Sequence, residues 1–260
     1  MKILIKIGTA LISRENRIAK DWLEKKVDQM AMLYREGHQI TVVSSGAVAA
    51  GMEIQGLRHR PTESLDLQLL SGLGQIRLSK YYKDMFKEKY IFTAQVLLTH
   101  HNFTTAGEVD TLVNILNEYM KRGVIPIINE NDLINKEEFD REGAFSDNDI
   151  LAALVGRAVK ADMALILTNV DGLHSADPTR DQSARVIPVV EEITPEIRRM
   201  ASTGKSILGL GGMLSKVEAA QILTDAEIKT VVANGNYSLQ DILEEKVPRT
   251  VFLPRSAGKQ

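Results

Sequence analysis

Lys2-Ile-Leu-Ile-Lys-Ile7 and Gln39-Ile-Thr-Val-Val-Ser44 bracket an amphipathic stretch from Asp21 to Glu36, and this strand, helix, strand unit sets the pattern for the rest of the chain. Further β-branched runs follow at Phe92 to Leu98, Val124 to Asn129, Met163 to Thr168 and Lys229 to Asn234. Helical periodicity fills the intervals at Leu65 to Glu88, Thr105 to Arg122, Asn148 to Lys160 and Met213 to Asp225. Alternation of this kind predicts an α/β fold, a three-layer αβα sandwich whose mostly parallel sheet is covered by helices on both faces. No internal repeat, low-complexity tract or Ser/Gly linker divides the sequence, so one domain over 1–260 is expected.

Composition narrows the function. With 44% hydrophobic and 25% charged residues and a net charge of -2, the chain reads as an ordinary globular protein. It carries no block of Lys and Arg that would favour nucleic acid or an acidic membrane surface. The apolar start, Met1 to Ser13, is interrupted by Lys6 and Gly8, so it does not read as a signal peptide. No stretch reaches the roughly 20 apolar residues of a membrane helix. The absence of cysteine removes disulfides, thiolate chemistry and cysteine-based zinc sites, and no metal site is expected from the protein's own side chains. A cytoplasmic location is the expectation. His100-His101 is the one histidine pair and reads as a turn after a strand.

In doubly wound sheets, ligands collect beyond the carboxyl ends of the strands. Here those ends read Lys6-Ile-Gly-Thr9, Ser44-Ser-Gly-Ala47, Asn129-Glu-Asn-Asp132 and Thr168-Asn-Val-Asp171. Each alone has a bland explanation as a turn or cap; their recurrence at one edge favours a joint role. A glycine-rich run, Gly209-Leu-Gly-Gly-Met-Leu-Ser-Lys216, leads into a helix and would offer backbone N–H groups, a helix dipole and a lysine to an anion. It is not a Rossmann fingerprint, since position 214 is Leu. Gly204-Lys205-Ser206 is not the end of a Walker A loop, since position 199 is Arg.

Two lysines and two glycine-rich turns able to converge on one highly charged transition state suggest phosphoryl transfer. Lys6 and Lys216 would neutralise the moving phosphoryl group, Gly8 and Gly46 would let backbone N–H groups approach its oxygens, and Asp149 would orient the two ammonium groups. A carboxylate acceptor needs no general base near neutral pH, its ordinary pKa being about 4.3.

These segments, together with Val43-Ser-Ser-Gly-Ala-Val-Ala-Ala-Gly51, Pro126-Ile-Ile-Asn-Glu-Asn-Asp132, Asp147-Asn-Asp149 and Gly172-Leu-His-Ser-Ala-Asp-Pro178, resemble the amino acid kinase family nearly end to end. The Asn-Glu-Asn-Asp and Asp-Asn-Asp pair resembles its glutamate-phosphorylating branch. The resemblance implies transfer of phosphate from ATP, with Mg2+ carried on the nucleotide, to the side-chain carboxylate of L-glutamate, the first step of proline biosynthesis. It implies that Ser45, Asn129, Asp132 and Asn148 hold glutamate. It also implies that Lys6, Thr168, Asn169, Gly211, Gly212, Met213 and Lys216 hold ATP. Proline as a feedback inhibitor and a homo-oligomer are further implications. Against the family pattern, Leu210 and Leu214 stand where hydroxyl-bearing residues are common, Asn169 where Asp is usual and His174 where Tyr is frequent. The C-terminal PUA domain of many members has no counterpart in these 260 residues. Two alternatives are a sibling kinase with another small anionic acceptor and a silent amino-acid or nucleotide sensor. A serine hydrolase on Ser45 lacks the G-x-S-x-G elbow.

Overall fold

The computed structural model describes residues 1–134, 148–178, 180–181, 183–202 and 212–254. Its first strand, β1 (Lys2–Ile7), sorts the whole molecule by side-chain parity. Ile3, Ile5 and Ile7 enter one core with α2 (Lys20–Arg35), α3 (Ala47–Gln55) and the second half of α4 (Ser64–Lys87). Leu4 enters the opposite core with α5 (Ala106–Lys121), α6 (Asn148–Val159), α7 (Pro195–Ser202) and α8 (Met213–Asp225). Both faces of β1 are therefore buried, which is why its sequence is a continuous apolar run rather than an alternating one. Lys6 shares the parity of Leu4 and so belongs to the α6 and α8 side.

The sheet has eight strands. From one edge they run β5 (Phe92–Leu98), β6 (Val124–Glu130), β4 (Gln39–Ser44), β1, β7 (Met163–Thr168), β9 (Lys229–Asn234), β10 (Arg249–Phe252) and β8 (Val189–Val190). All neighbours are parallel except β9 with β10. The six strands and five helices expected from periodicity are present with ends within one residue of those expected. Elements besides those eleven are α1 (Thr9–Ile12), the small hairpin of β2 (Ser13–Arg14) and β3 (Arg17–Ile18), α3, α7, β8, α9 (Leu239–Leu243) and β10. His100 and His101 lie in a 3-10 turn, His100–Phe103, directly after β5. Asp132 to Ser146, whose charge and Gly143 suggest a protruding hairpin or lid, lies outside the described residues from position 135 onward, as does the glycine-rich run before Gly212. Among the described residues, no helix is long and apolar enough to cross a membrane.

One buried cation lies outside the functional edge. Lys26 on α2 is 2% exposed; its Nζ donates to Gln29 Oε1 at 2.9 Å and to the Tyr237 carbonyl at 2.5 Å, with the Trp22 ring 5.7 Å away. Burial pushes its pKa from 10.5 down to about 8. Between those values the unfolded chain holds a proton that the folded chain has released, so stability rises with pH. Urea unfolding from pH 7.5 to pH 10 is expected to show the native protein gaining stability relative to Lys26→Gln. A pH-independent difference would contradict this account.

Candidate active site at the carboxyl edge of the sheet

The carboxyl ends of β1, β4, β6 and β7 meet the amino ends of α3, α6 and α8, and each contributes a polar group. At the centre is Asp149, in the first turn of α6 and fully buried. Its Oδ1 lies 2.6 Å from Lys6 Nζ and its Oδ2 3.0 Å from Lys216 Nζ. Ser215 Oγ lies 2.8 Å from the same Oδ2 and 3.0 Å from the Gly212 carbonyl. Burial alone would push the Asp149 carboxyl up, but Lys216 and then Lys6 overcome that and hold it well below the usual carboxylate range. Two ammonium groups are thus fixed on one carboxylate from strands and helices far apart in sequence. Two buried ammonium groups brought together on one carboxylate are an arrangement suited to receiving an anion.

Beside this cluster lies an amide network. Asn148 Nδ2 donates to Ser45 Oγ and to Asn129 Oδ1, both at 3.1 Å. The Glu130 backbone N–H donates to the same Asn129 oxygen at 2.9 Å, which fixes how that amide is turned. Asn129 Nδ2 in turn donates to Gln75 Oε1 at 3.2 Å, and Gln75 Nε2 to the Glu130 carbonyl at 3.0 Å. Ser71 donates to the Asp132 carboxylate. Asn148 Oδ1 is buried and accepts nothing from the described residues. Of the adjacent pair, Ser44 faces away, its hydroxyl 2.8 Å from the buried Tyr82 hydroxyl, and Ser45 faces the amide network.

Two glycines shape the rim. Gly46 caps α3 with φ +111°, a left-handed conformation, and a Cβ there would sit 3.0 Å from Ile12 and 3.3 Å from Ile18. Its side-chain-free cap leaves the first N–H groups of α3 without a side-chain acceptor. At Gly8 the backbone N–H donates to the Leu167 carbonyl at 3.3 Å, because the ladder between β1 and β7 continues one residue past the strand end.

A model of the family described as "Amino acid kinase family" matches residues 1–234. The chain belongs to the amino acid kinase family. Among relatives, the glutamate 5-kinase of Thermoanaerobacter sp. (strain X514) is 37% identical over 257 residues, covering 98% of this chain and 68% of that protein. The glutamate 5-kinase of Lactococcus lactis subsp. cremoris (strain SK11) is 36% identical over 256 residues, covering 96% and 94%. The carbamate kinase of Giardia lamblia bound to AMP-PNP shares the fold at TM-score 0.67 and 14% identity, covering 96% of this chain and 98% of that one. An isopentenyl phosphate kinase shares it at TM-score 0.63 and 14% identity, covering 97% and 100%.

In this amino acid kinase, the structure brings Lys6, Asp149 and Lys216 into direct contact, and Ser45, Asn129 and Asn148 into one network with Asp132 nearby through α4. Thr168 and Asn169 stand at the end of β7, with Thr168 Oγ1 3.4 Å from Asn169 Oδ1. Gly212 and Met213 open α8, one turn before Lys216. Gly211 lies outside the described residues. Sequence reasoning missed Ser71 and Gln75, which hold Asp132 and Asn129 from the inner face of α4. It also gave no separate role to Ser215, which bridges Gly212 and Asp149. The hydroxyl one residue before Lys216 was a usable signal; Gln75, 54 residues from its partner, offered none.

Proposed function

We propose that this chain transfers the γ-phosphoryl group of ATP to the side-chain carboxylate of L-glutamate, giving γ-glutamyl phosphate and ADP at the head of proline biosynthesis. The observation that carries the reading is the Lys6–Asp149–Lys216 cluster, two cations on one buried carboxylate, set against an amide and hydroxyl network. Relatives named glutamate 5-kinase, matched over nearly the whole chain, support glutamate as the acceptor.

In the step itself, a carboxylate oxygen of glutamate forms a bond to the γ-phosphorus as the bond from that phosphorus to the β,γ-bridging oxygen breaks. The electron pair leaves with ADP. No proton moves, because the attacking group is already ionised at neutral pH. Catalysis is then positioning and charge stabilisation. Lys6 and Lys216 flank the phosphoryl group in flight and offset the charge spread over its oxygens. Asp149 keeps both ammonium groups in place before the substrate arrives, so little reorganisation is needed during the reaction. The open N–H groups of the α3 first turn, beyond Gly46, add donors on the acceptor side.

On the glutamate side, Asp132 supplies a negative charge for the α-ammonium, and Asn148 Oδ1 is a buried acceptor in need of an N–H. Ser45 and Asn129 offer hydroxyl and amide hydrogens to carboxylate oxygens. Thr168, Asn169, Gly212 and Met213 line the nucleotide side. Mg2+ would enter on the triphosphate and neutralise part of its charge; both Asp149 oxygens are already engaged by ammonium groups, so phosphate oxygens suit the metal better than this carboxylate.

The deciding experiment offers Mg-ATP with glutamate, aspartate, N-acetylglutamate, carbamate or UMP separately, with hydroxylamine present to trap an acyl phosphate. Glutamate-dependent ADP release with a γ-hydroxamate is the expected result. Turnover with another acceptor alone would keep the lysine mechanism and remove glutamate, and ATP binding without turnover would remove the kinase reading.

A further inference from the structure

The exit from β7, Thr168-Asn-Val-Asp171, ends on a carboxylate that the transfer step does not use. Its place in the site follows from the order of the strands, which runs β6, β4, β1, β7, β9 across this edge. The acceptor network lies at the ends of β6 and β4, and Lys6 with its partner Asp149 at the end of β1. In a phosphoryl transfer the attacking and leaving oxygens lie roughly in line. An acceptor on the β4 side of the phosphoryl group therefore puts the rest of the nucleotide on the opposite side, over β7 and then β9. Two strand spacings separate β1 from β9, roughly 10 Å, a distance that a triphosphate chain spans. The ribose then falls where the exits of β7 and β9 meet.

Asp171 stands at that meeting point, half-buried and held from both sides. Asn234, the last residue of β9 and the register partner of Thr168, donates from Nδ2 to Asp171 Oδ1 at 3.0 Å. The Asn236 N–H donates to Asn234 Oδ1 at 3.0 Å, which fixes how that amide is turned. The Gly235 N–H donates to the Thr168 carbonyl at 2.8 Å, so the two strand exits are tied together. On the other side, Gly172 has φ +145°, and a Cβ there would stand 2.5 Å from Thr250 Oγ1, which accepts the Leu173 N–H at 2.8 Å. Burial and then the charge of Asp171 push the Tyr237 hydroxyl above its usual pKa, which marks the two groups as neighbours. A carboxylate accepts about four hydrogen bonds, and Asn234 supplies one of them. Fixed in this way, a carboxylate repels phosphate and accepts from neutral hydroxyls, which the nucleotide carries on its ribose. We propose that Asp171 accepts hydrogen bonds from the vicinal 2′- and 3′-hydroxyls of the ribose, with Asn234 as its positioning residue, so that the chain selects ribonucleotides over deoxyribonucleotides. The proposal rests on the ATP-dependent reading of the Lys6–Asp149–Lys216 cluster.

Titration calorimetry of the chain with Mg-ATP, Mg-2′-deoxyATP and Mg-3′-deoxyATP, with no acceptor present, tests it. Removing a hydroxyl from a site built to accept it, on a charged group, is expected to weaken binding by about 10- to 100-fold. The wild-type chain is expected to bind the deoxy analogues that much more weakly than ATP. Asp171→Ala is expected to bind ATP as weakly as the wild type binds the analogues, and all three nucleotides within about threefold of one another. Asn234→Ala is expected to reduce the preference part-way while affinity for the analogues holds. A merely structural loss would weaken all three nucleotides alike and leave their ratio unmoved. Should the alanine variant at 171 melt early, Asp171→Asn keeps the size and the Asn234 contact, and is expected to lose most of the preference with the charge. Equal binding of the three nucleotides by the wild type overturns the proposal, as does a preference that survives both Asp171 variants undiminished. A wild type that binds none of the three removes the kinase reading and this proposal with it, so the two failures are told apart.

Discussion

Replacing Lys216 by alanine is expected to lower kcat by about 10²- to 10³-fold, the usual effect of removing one preorganised donor from a developing charge. Lys6→Ala is expected to do the same. KM for glutamate should change by much less, because the acceptor network of Ser45, Asn129 and Asn148 contains neither lysine. The reason for a rate effect rather than a binding effect lies in the shared carboxylate. Asp149 holds Lys6 at 2.6 Å and Lys216 at 3.0 Å, and in the proposed mechanism that places charge where it develops during transfer. Either single variant leaves Asp149 one cation, and the fold is expected to survive, with a melting curve to verify it. The double variant should fall short of the product of the two losses, because in the proposed mechanism both lysines act on one phosphoryl group. Hydroxamate formation rates for the three variants give the answer. Rates within threefold of wild type for either single variant would remove that lysine from the chemistry.

How far this site could be read before the structure depended on where each residue stands along its element. Lys6, Asn129 and Thr168 are at or near the ends of long strands, and Asp149 and Lys216 lie in the first turns of helices that follow apolar runs or glycines. Topology alone therefore assigns them to one edge. Parity supplied more than was taken from it: Lys6 alternates with Ile5 and Ile7, which already assigns it to the face of Leu4 and hence of α6 and α8. Gln75 and Ser71 were hidden because they sit inside a helix whose pattern reads as core, and their meeting with Asn129 and Asp132 is a tertiary event.

Short elements escaped for a different reason. β2 and β3 have two residues each and offer no period to detect. The helix α3 is nearly all apolar, Ala47-Val-Ala-Ala-Gly-Met52 at its start, because it is packed against α4 and the β2–β3 hairpin and has little polar face to display.

Gly74→Ala is expected to be the most damaging small substitution in the chain. The α3 and α4 backbones cross so closely that a Cβ on Gly74 would stand 1.7 Å from the Ala47 carbonyl oxygen and 2.6 Å from the Gly51 nitrogen. Gly51 is the counterpart on α3, where a Cβ would stand 2.0 Å from the Leu70 carbonyl oxygen. These neighbours are backbone atoms in helices and cannot swing aside as a side chain could, so the helices must separate. Overpacking of this kind costs about 1–3 kcal/mol or more, which in a chain of this size lowers Tm by some 2–4 °C per kcal/mol. The functional loss should exceed the stability loss. Separation displaces Ser71 and Gln75 from Asp132 and Asn129, and displaces the start of α3 at Gly46, while α6 and α8 stay with the sheet. Misplacement by about 1 Å costs on the order of 10²-fold in rate. Gly74→Ala is accordingly expected to raise KM for glutamate and lower kcat while ATP binding persists. Gly107→Ala is the control: a Cβ there meets nothing within 4 Å, in the first turn of α5, and alanine should be neutral or stabilising by up to about 1 kcal/mol. Calorimetry with glutamate and ATP titrations on both variants separates the cases. Equal behaviour of the two would mean that α3 and α4 can part without cost to the site.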